Sequence, residues 1–446
     1  MKSTPRALAV TILSKVDRKG AFAEQELDGT LRSGKLEDPR DRRLLTEIVY
    51  GTLRMRGRLD WIIDSLYPPG SGALDTDVRN VLRTGLYQIF FLDRVPEYAV
   101  VSEAVAIAKR IRVAAAALVN AILRNAARTR REIAYPDPEK DPVGHLSVFH
   151  SHPRWLVERW ISMLGIAETT AFCKADNEIP PLTVRVNSLK TDRRTVEEEL
   201  RKLGLSSRST ALSPEGLSIL GNTDSLEKTG CFQEGRIQIQ DEGSQLISHV
   251  VGPIAGDSIL DLCAGTGGKT HHLAQLMKNR GRILACDISA EKIDALKKNA
   301  ARLGVTIVET KTADAAKDDF PAERFDRVLV DAPCSGLGTL RRNPEIRWRL
   351  TPERLRSLVE LQGAILHHAA DRVKPGGTLT YVTCTALPEE NEEIVRSFLK
   401  RYPEYRLSRP AAPAAAKLLC SDGFFRTLPH RHGTDGFFAA CLARKV

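Results

Sequence analysis

The strongest constraint on the fold is a succession of strand, turn and helix that starts near position 258 and recurs toward the carboxyl end. Apolar runs at 258–262, 283–286, 306–309, 328–330 and 378–383 each read as a buried strand, with turns and helical periodicity between them. Buried strands alternating with helices pack as a parallel sheet covered on both faces, so a doubly wound α/β domain is expected. In such sheets ligand crevices open at the carboxyl ends of the strands.

The first of these strands runs into Asp261-Leu262-Cys263-Ala264-Gly265-Thr266-Gly267-Gly268-Lys269-Thr270, a glycine turn that opens a helix. A phosphate-cradling loop needs glycine five positions before Gly268, where Cys263 stands, so that reading fails. A dinucleotide fingerprint needs glycine at Thr270, so hydride transfer is weakly supported. Asp287 closes the next strand and suits ribose hydroxyls; Asp314, past the third, suits an adenine amino group, with a turn-forming aspartate as the plain alternative. The set favours S-adenosylmethionine, whose positive sulfonium Asp261 and Asp331 would tolerate. Lys269 either orients an acidic side chain or caps backbone carbonyls.

Two further strand ends carry cysteine, in Asp331-Ala332-Pro333-Cys334 and Tyr381-Val382-Thr383-Cys384-Thr385. A lone buried cysteine is usually inert filler. Two at the carboxyl ends of strands in one sheet, beside a nucleoside-type turn, point to cytosine chemistry. Carbon 5 of cytosine accepts a methyl group only after a nucleophile adds at carbon 6, and a thiolate adds there reversibly. A second group must then help remove the carbon 5 proton. The residues alone do not say which cysteine attacks.

The remainder of the chain is organised differently. Residues 5–130 read as successive helices, with breaks at Pro39, at Pro68-Pro69-Gly70-Ser71-Gly72 and at Pro96. The run Arg40-Asp41-Arg42-Arg43, followed by Arg54, Arg56 and Arg58, is either a solvated helix face or an RNA contact, and the net charge of +10 favours RNA. A proline-rich stretch reads as a linker, and short alternating runs after it read as a small α+β subdomain. The expected division is a helical domain at 1–135, a linker at 136–152, a helical and small α+β part at 153–240 and a catalytic domain at 241–446. The eight cysteines include no Cys-x-x-Cys pair and the histidines do not cluster at metal spacing, so no metal is expected. With no signal-type apolar core and no run of membrane-spanning length, a cytoplasmic protein with reduced thiols and no membrane association is expected.

These residues resemble the RNA 5-methylcytosine methyltransferases, and among them the Sun-type (RsmB-like) 16S ribosomal RNA enzymes that carry a NusB-like domain. The resemblance spans nearly the whole chain. It rests on Asp41-Arg42-Arg43-Leu44-Leu45 through Val49-Tyr50-Gly51, Val119-Asn120-Ala121-Ile122-Leu123-Arg124 and Gln240-Asp241-Glu242-Gly243-Ser244-Gln245. Its most specific parts are 331–336 with Arg342-Asn343-Pro344-Glu345-Ile346-Arg347-Trp348, and Thr383-Cys384 with Pro388-Glu389-Glu390-Asn391-Glu392; the ending Asp435-Gly436-Phe437-Phe438 is similar to the family's last strand.

The resemblance implies an all-helical NusB-like domain, a small α+β (RRM-like) subdomain and a Rossmann-like S-adenosylmethionine-dependent methyltransferase domain. It implies that Cys384 is the nucleophile, that Cys334 assists breakdown of the covalent intermediate and that Asp331 contacts cofactor and cytosine. DNA-directed relatives use the Pro-Cys cysteine instead, which makes Cys334 the rival. Cys263, Ala264, Gly265, Thr266, Gly267, Gly268 and Lys269, with Asp287, Asp314 and Asp331, would hold S-adenosylmethionine. The family usually has alanine and proline at Gly265 and Thr266, so the turn is expected to be less preorganised here; Thr385 replaces a usual serine and keeps the hydroxyl. The implied activity is methylation of carbon 5 of a flipped-out cytosine in 16S ribosomal RNA, by a monomer. Transfer RNA methylation by the same chemistry and a non-catalytic RNA-binding assembly factor are the alternatives.

Overall fold

A computed structural model describes residues 4–221, 226–318 and 324–446. Contacts divide the chain into two units, Met1–Ile179 with Leu340–Arg349, and Pro180–Thr339 with Leu350–Val446.

The first unit is helical, as the periodicity predicts. Helices span Pro5–Lys19, Ala23–Arg32, Pro39–Arg54, Arg56–Leu66, Thr76–Phe91, Glu97–Ile111 and Ala115–Arg128. Two of the proline breaks, Pro39 and Pro96, stand at helix starts, and the Pro68–Gly72 stretch follows the end of helix Arg56–Leu66. Pro39 occupies the first turn of its helix, where its missing N–H is not needed, while the Asp38 side chain accepts from the Arg40 amide. Pro96 likewise stands just before Glu97–Ile111. Apolar positions three and four apart then face inward, as Leu82, Leu86, Ile89, Val119, Ile122 and Leu123 do in one cluster.

The stretch read as a linker holds a further helix, Pro142–Phe149, opened by Asp141 accepting from the Gly144 amide. Helices Arg154–Leu164 and Ile166–Ala175 follow, separated by Gly165 at φ 78°, a backbone angle that stops a single long helix. Both belong to the first unit, although the sequence groups them with the small α+β part. Three arginines read as possible RNA contacts are spent on packing. Arg54 is buried and donates to the Arg341 carbonyl at 3.2 Å, and Arg56 pairs with Asp17 at 3.0 Å. Arg58 lies 4.1 Å above the Phe149 ring and donates to the Tyr135 hydroxyl at 3.0 Å. Arg40 and Arg43 are exposed.

Among the described residues, the second unit contains two sheets. The smaller is antiparallel, in the order β2-β3-β1-β4, from β1 (Leu182–Val186), β2 (Ser206–Ser209), β3 (Gly216–Leu220) and β4 (Ile237–Ile239), with helix Arg193–Lys202 between β1 and β2. The larger has eight strands: β5 (Ser258–Asp261), β6 (Arg282–Asp287), β7 (Val308–Thr312), β8 (Phe325–Asp331), β9 (Val373–Thr383), β10 (Tyr405–Ser408), β11 (Phe425–Thr427) and β12 (Phe437–Arg444). Its order is β10-β12-β9-β8-β5-β6-β7, with β11 also on β12. The five strands from β5 to β9 are parallel as expected, and β12 adds an antiparallel extension with β10 and β11.

Alternate residues of the same strands pack on opposite faces. Leu260, Val328, Leu379 and Tyr381 join one core, and Ile259, Ile283, Leu329 and Val382 the other. Each fully buried aliphatic side chain contributes about 1.5–3 kcal/mol of apolar burial, so both faces hold the sheet rigid beneath its carboxyl edge. Among the described residues, no helix is long and apolar enough to cross a membrane.

Candidate active site

Asp261, Asp287, Asp331 and Thr383 end β5, β6, β8 and β9, and the register pairs Asp261 with Leu329 and Asp331 with Val382. Parallel pairing therefore sets these strand ends along one edge of the sheet. The two loops that leave β8 and β9 bring their cysteines together: Cys334 and Cys384 have sulfurs 3.3 Å apart, and the Cys384 amide donates to the Cys334 sulfur at 3.3 Å. Both are free thiols. The hydrogen bond with Cys384, together with burial and the Glu390 charge, pushes the Cys334 thiol well above its usual range.

A group that the sequence reading quotes within a motif, but to which it gives no role, fixes this geometry. Glu390 is fully buried; its Oε1 accepts from the Ser335 amide at 2.8 Å and from Gln362 Nε2 at 2.9 Å, and its Oε2 accepts from the Ser335 hydroxyl. The Ser335 hydroxyl also reaches Thr385 Oγ1 at 2.9 Å, so the threonine that replaces the usual serine still supplies its hydroxyl. Asn391 donates to the Thr385 carbonyl at 2.9 Å and accepts from the Thr383 hydroxyl at the end of β9. One buried acid and one amide thus lock the loops that bear Cys334 and Cys384. In the sequence both stand in Pro388-Glu389-Glu390-Asn391-Glu392, a run that carries the resemblance without assigning its members a role.

The glycine turn lies beside the pair. Lys269 donates to Asp331 Oδ2 at 2.6 Å and stands 5.2 Å over the Phe437 ring. Burial works against its charge, but Asp331 holds the ammonium above its usual range. Of the two readings for Lys269, orienting an acidic side chain is the one found. Asp261 Oδ2 accepts from Thr270 Oγ1 at 2.7 Å, while its buried Oδ1 has no hydrogen-bond partner. Burial first, then the nearby Asp331 charge, raises the Asp261 carboxyl to about 7.

Gly265 and Gly267 take φ 57° and 88°, the left-handed region that side chains avoid. A Cβ at Gly267 would fall 2.4 Å from His271 Cε1 and 2.7 Å from Leu296 Cγ, whereas one at Gly265 would meet nothing within 4 Å. The open side of Gly265 leaves backbone accessible at the turn. Asp287 Oδ2 accepts from the Gly265 amide at 2.9 Å and its Oδ1 from the Ser289 amide at 2.9 Å, so this residue shapes the turn from the end of β6. The Cys263 thiol is pushed up by burial, and Asp314 accepts from the Ala316 amide at 2.9 Å within its own turn.

Arg185 escaped the sequence reading, because strand alternation puts it on the face opposite the core residues Val184 and Val186, and only tertiary packing buries that face. It is fully buried on β1 and donates to the Gly268 carbonyl at 2.8 Å, to Gln275 Oε1 at 3.0 Å and to Gln240. Burial lowers it to about 9. The small sheet thereby braces the first turn of helix Gly268–Leu276.

The motif Arg342-Asn343-Pro344-Glu345-Ile346-Arg347-Trp348 belongs to the first unit. Glu345 accepts from the Ala23 amide at 2.9 Å, and fully buried Arg347 donates to the Ser151 carbonyl at 3.0 Å and to Asn177 at 2.9 Å.

Comparison with known proteins matches three family models to the chain: the NusB family over residues 3–128, an RsmF/B-like methyltransferase ferredoxin-like domain over 152–225, and the 16S rRNA methyltransferase RsmB/F over 248–443. The chain is 36% identical to a probable ribosomal RNA small subunit methyltransferase B of Bacillus subtilis, covering 100% of this chain and 99% of that protein. It is 37% identical to a protein of the same description from Synechocystis, covering 98% and 99%. The crystal structure of PH0851 matches with a TM-score of 0.84 and 31% identity, over 99% of each chain. An all-helical domain, a ferredoxin-like sheet and a methyltransferase sheet, joined in this order and matched end to end, place the chain in the ribosomal RNA small subunit methyltransferase B family.

Proposed function

We propose that this methyltransferase transfers a methyl group from S-adenosylmethionine to carbon 5 of a cytosine in 16S ribosomal RNA, through a covalent bond between Cys384 and carbon 6. The observation that carries the reading is the pair of cysteine sulfurs 3.3 Å apart at the carboxyl edge of a methyltransferase sheet. Rigid loops held by Glu390 and Asn391 present both sulfurs to one substrate ring.

The residues fit the cofactor. Gly265 leaves room at the turn, the Asp287 carboxylate stands at the end of β6, and Asp261 carries an unpartnered buried oxygen. Cys263, Ala264, Gly265, Thr266, Gly267, Gly268 and Lys269, with Asp287, Asp314 and Asp331, would hold it. Bound there, S-adenosylmethionine would supply an electrophilic methyl group, the sulfonium–methyl bond breaking as the cofactor leaves as a neutral thioether.

The division of labour is the one the family resemblance implies, with Cys384 as the nucleophile; the hydrogen bond with Cys384 and burial push the Cys334 thiol up, in keeping with it. Addition of the Cys384 sulfur to carbon 6 moves the ring electrons toward carbon 5, which forms the new carbon–carbon bond to the methyl group. The carbon 5 proton must then leave, and the carbon–sulfur bond breaks as the double bond reforms. Cys334, in contact with Cys384, assists this elimination, taking part in proton transfer at the sulfur or the ring. Asp331, held by Lys269, contacts the cytosine from the adjoining strand end. A base within a helix is inaccessible to these groups, so the target is unstacked into the pocket.

The test is transfer of labelled methyl groups to unmodified 16S ribosomal RNA and to transfer RNA, with 5-methylcytosine mapped at base resolution. One modified cytosine in the ribosomal RNA supports the proposal. Label in transfer RNA alone overturns the substrate, and label at another base or atom overturns the chemistry.

A further inference from the structure

Outside the cysteine pocket, three polar side chains from separate elements of the second unit converge. Glu215 lies in the connection leading into β3, His249 on helix Glu242–Val251 and His272 on helix Gly268–Leu276. Glu215 Oε2 is 2.9 Å from His249 Nε2 and 3.7 Å from His272 Nε2, and each residue offers a ligand atom within 4.8 Å of the other two. The imidazole rings meet edge to face at 5.3 Å.

His272 is the telling member. Its side chain is 0% exposed, and neither ring nitrogen has a hydrogen-bond partner. A separation of 3.7 Å is too long for a hydrogen bond, and an unsatisfied buried polar group costs about 1–3 kcal/mol.

We propose that Glu215, His249 and His272 form a binding site for a divalent transition-metal ion of the zinc class. Two imidazoles and one carboxylate are a ligand set that such ions take readily. Ligand bonds of about 2.0–2.1 Å in a tetrahedron set donor atoms about 3.3 Å apart, and the two distances to Glu215 Oε2 fall on either side of that separation. The His249 and Glu215 side chains remain 11% and 17% exposed, which gives the ion a path in and a water its fourth position. Ser213 Oγ, 3.4 Å from the same carboxylate oxygen, orients it from behind. The ion ties the connection into β3 to the helix that follows the glycine turn, and so braces the ferredoxin-like sheet against the cofactor loop. The three residues lie on three distant segments, and for that reason the sequence carries no metal motif and no metal is expected from it.

Chelator-stripped full-length protein titrated with Co²⁺, followed by its visible absorption, tests the site. The expected result is one Co²⁺ per chain with ligand-field bands and no sulfur-to-cobalt charge-transfer band, displaced by Zn²⁺. Glu215→Gln and His249→Asn, each checked for a native circular dichroism spectrum, should weaken binding at least tenfold, while Cys334→Ser/Cys384→Ser should bind as the wild type does. Zn²⁺ should raise the melting temperature of the wild type and not of Glu215→Gln. No Co²⁺ bound at micromolar concentration, undiminished binding in folded Glu215→Gln, or a charge-transfer band lost with the two cysteines would overturn the proposal.

Discussion

Glu390 holds the Cys334 loop, and its replacement separates loss of the anchor from loss of its charge. In Glu390→Ala the Ser335 amide at 2.8 Å and Gln362 Nε2 at 2.9 Å both lose their acceptor in a fully buried site. Each orphaned donor costs about 1–3 kcal/mol, so Glu390→Ala is expected to lose about 2–6 kcal/mol of stability. Glu390→Gln keeps the volume and one acceptor oxygen for both N–H groups. Its amide can face the Ser335 hydroxyl, which rotates to accept, and only the charge assistance is lost, about 1 kcal/mol. Glu390→Gln also removes a negative charge beside Cys334, which lowers that thiol toward its ordinary range. Urea unfolding at fixed pH measures the stabilities, and single-turnover methyl transfer with a separate cofactor titration measures function. Both variants should bind cofactor as the wild type does, with turnover falling far more in Glu390→Ala. A Glu390→Ala protein within about 0.5 kcal/mol of wild type, the range of an ordinary surface substitution, would mean that Glu390 does not anchor the loop.

Three further outcomes are expected. Gly267→Ala should lose about 2–5 kcal/mol, from the left-handed backbone and from the forced shift of His271 and Leu296, against about 1–2 kcal/mol for Gly265→Ala; calorimetry and cofactor titration compare them. Asp261 has a folded-state carboxyl raised to about 7, so the folded protein holds a proton that the unfolded chain releases; relative to Asp261→Asn, wild-type stability should fall as pH rises from about 4 to 7, by up to about 1.4 kcal/mol per pH unit, and level off above. Lys269→Met removes the charged hydrogen bond to Asp331 and should cost about 1.5–3 kcal/mol, read as turnover lost at saturating cofactor.

The carboxyl edge of the large sheet is legible in the sequence because each site residue follows an apolar run. Asp261, Asp287 and Asp331 close strands, and Cys334 and Cys384 come within three residues of one. The edges are harder to read. β7 is expected at 306–309 and observed at Val308–Thr312, because Glu309 and Lys311 stand on an edge strand whose polar side chains break the apolar signal. β10 and β11 are short, carry arginine, and exist only because β12 offers them a partner. Glu390 and Arg185 are charged groups whose burial is decided by tertiary packing, to which periodicity is blind. The cluster of Glu215, His249 and His272 has the same origin, since three distant segments meet only in the folded chain.

A covalent route through Cys384 is tested by the adduct itself. Cys334→Ala and Cys384→Ala proteins are incubated with S-adenosylmethionine and unmodified 16S ribosomal RNA, and denaturing gels report RNA bound to protein. A stable adduct should accumulate with Cys334→Ala, and neither adduct nor 5-methylcytosine should appear with Cys384→Ala. An adduct from Cys384→Ala that is missing from Cys334→Ala would reverse the assignment, and methylation by Cys384→Ala at the wild-type rate would contradict a covalent route through that sulfur.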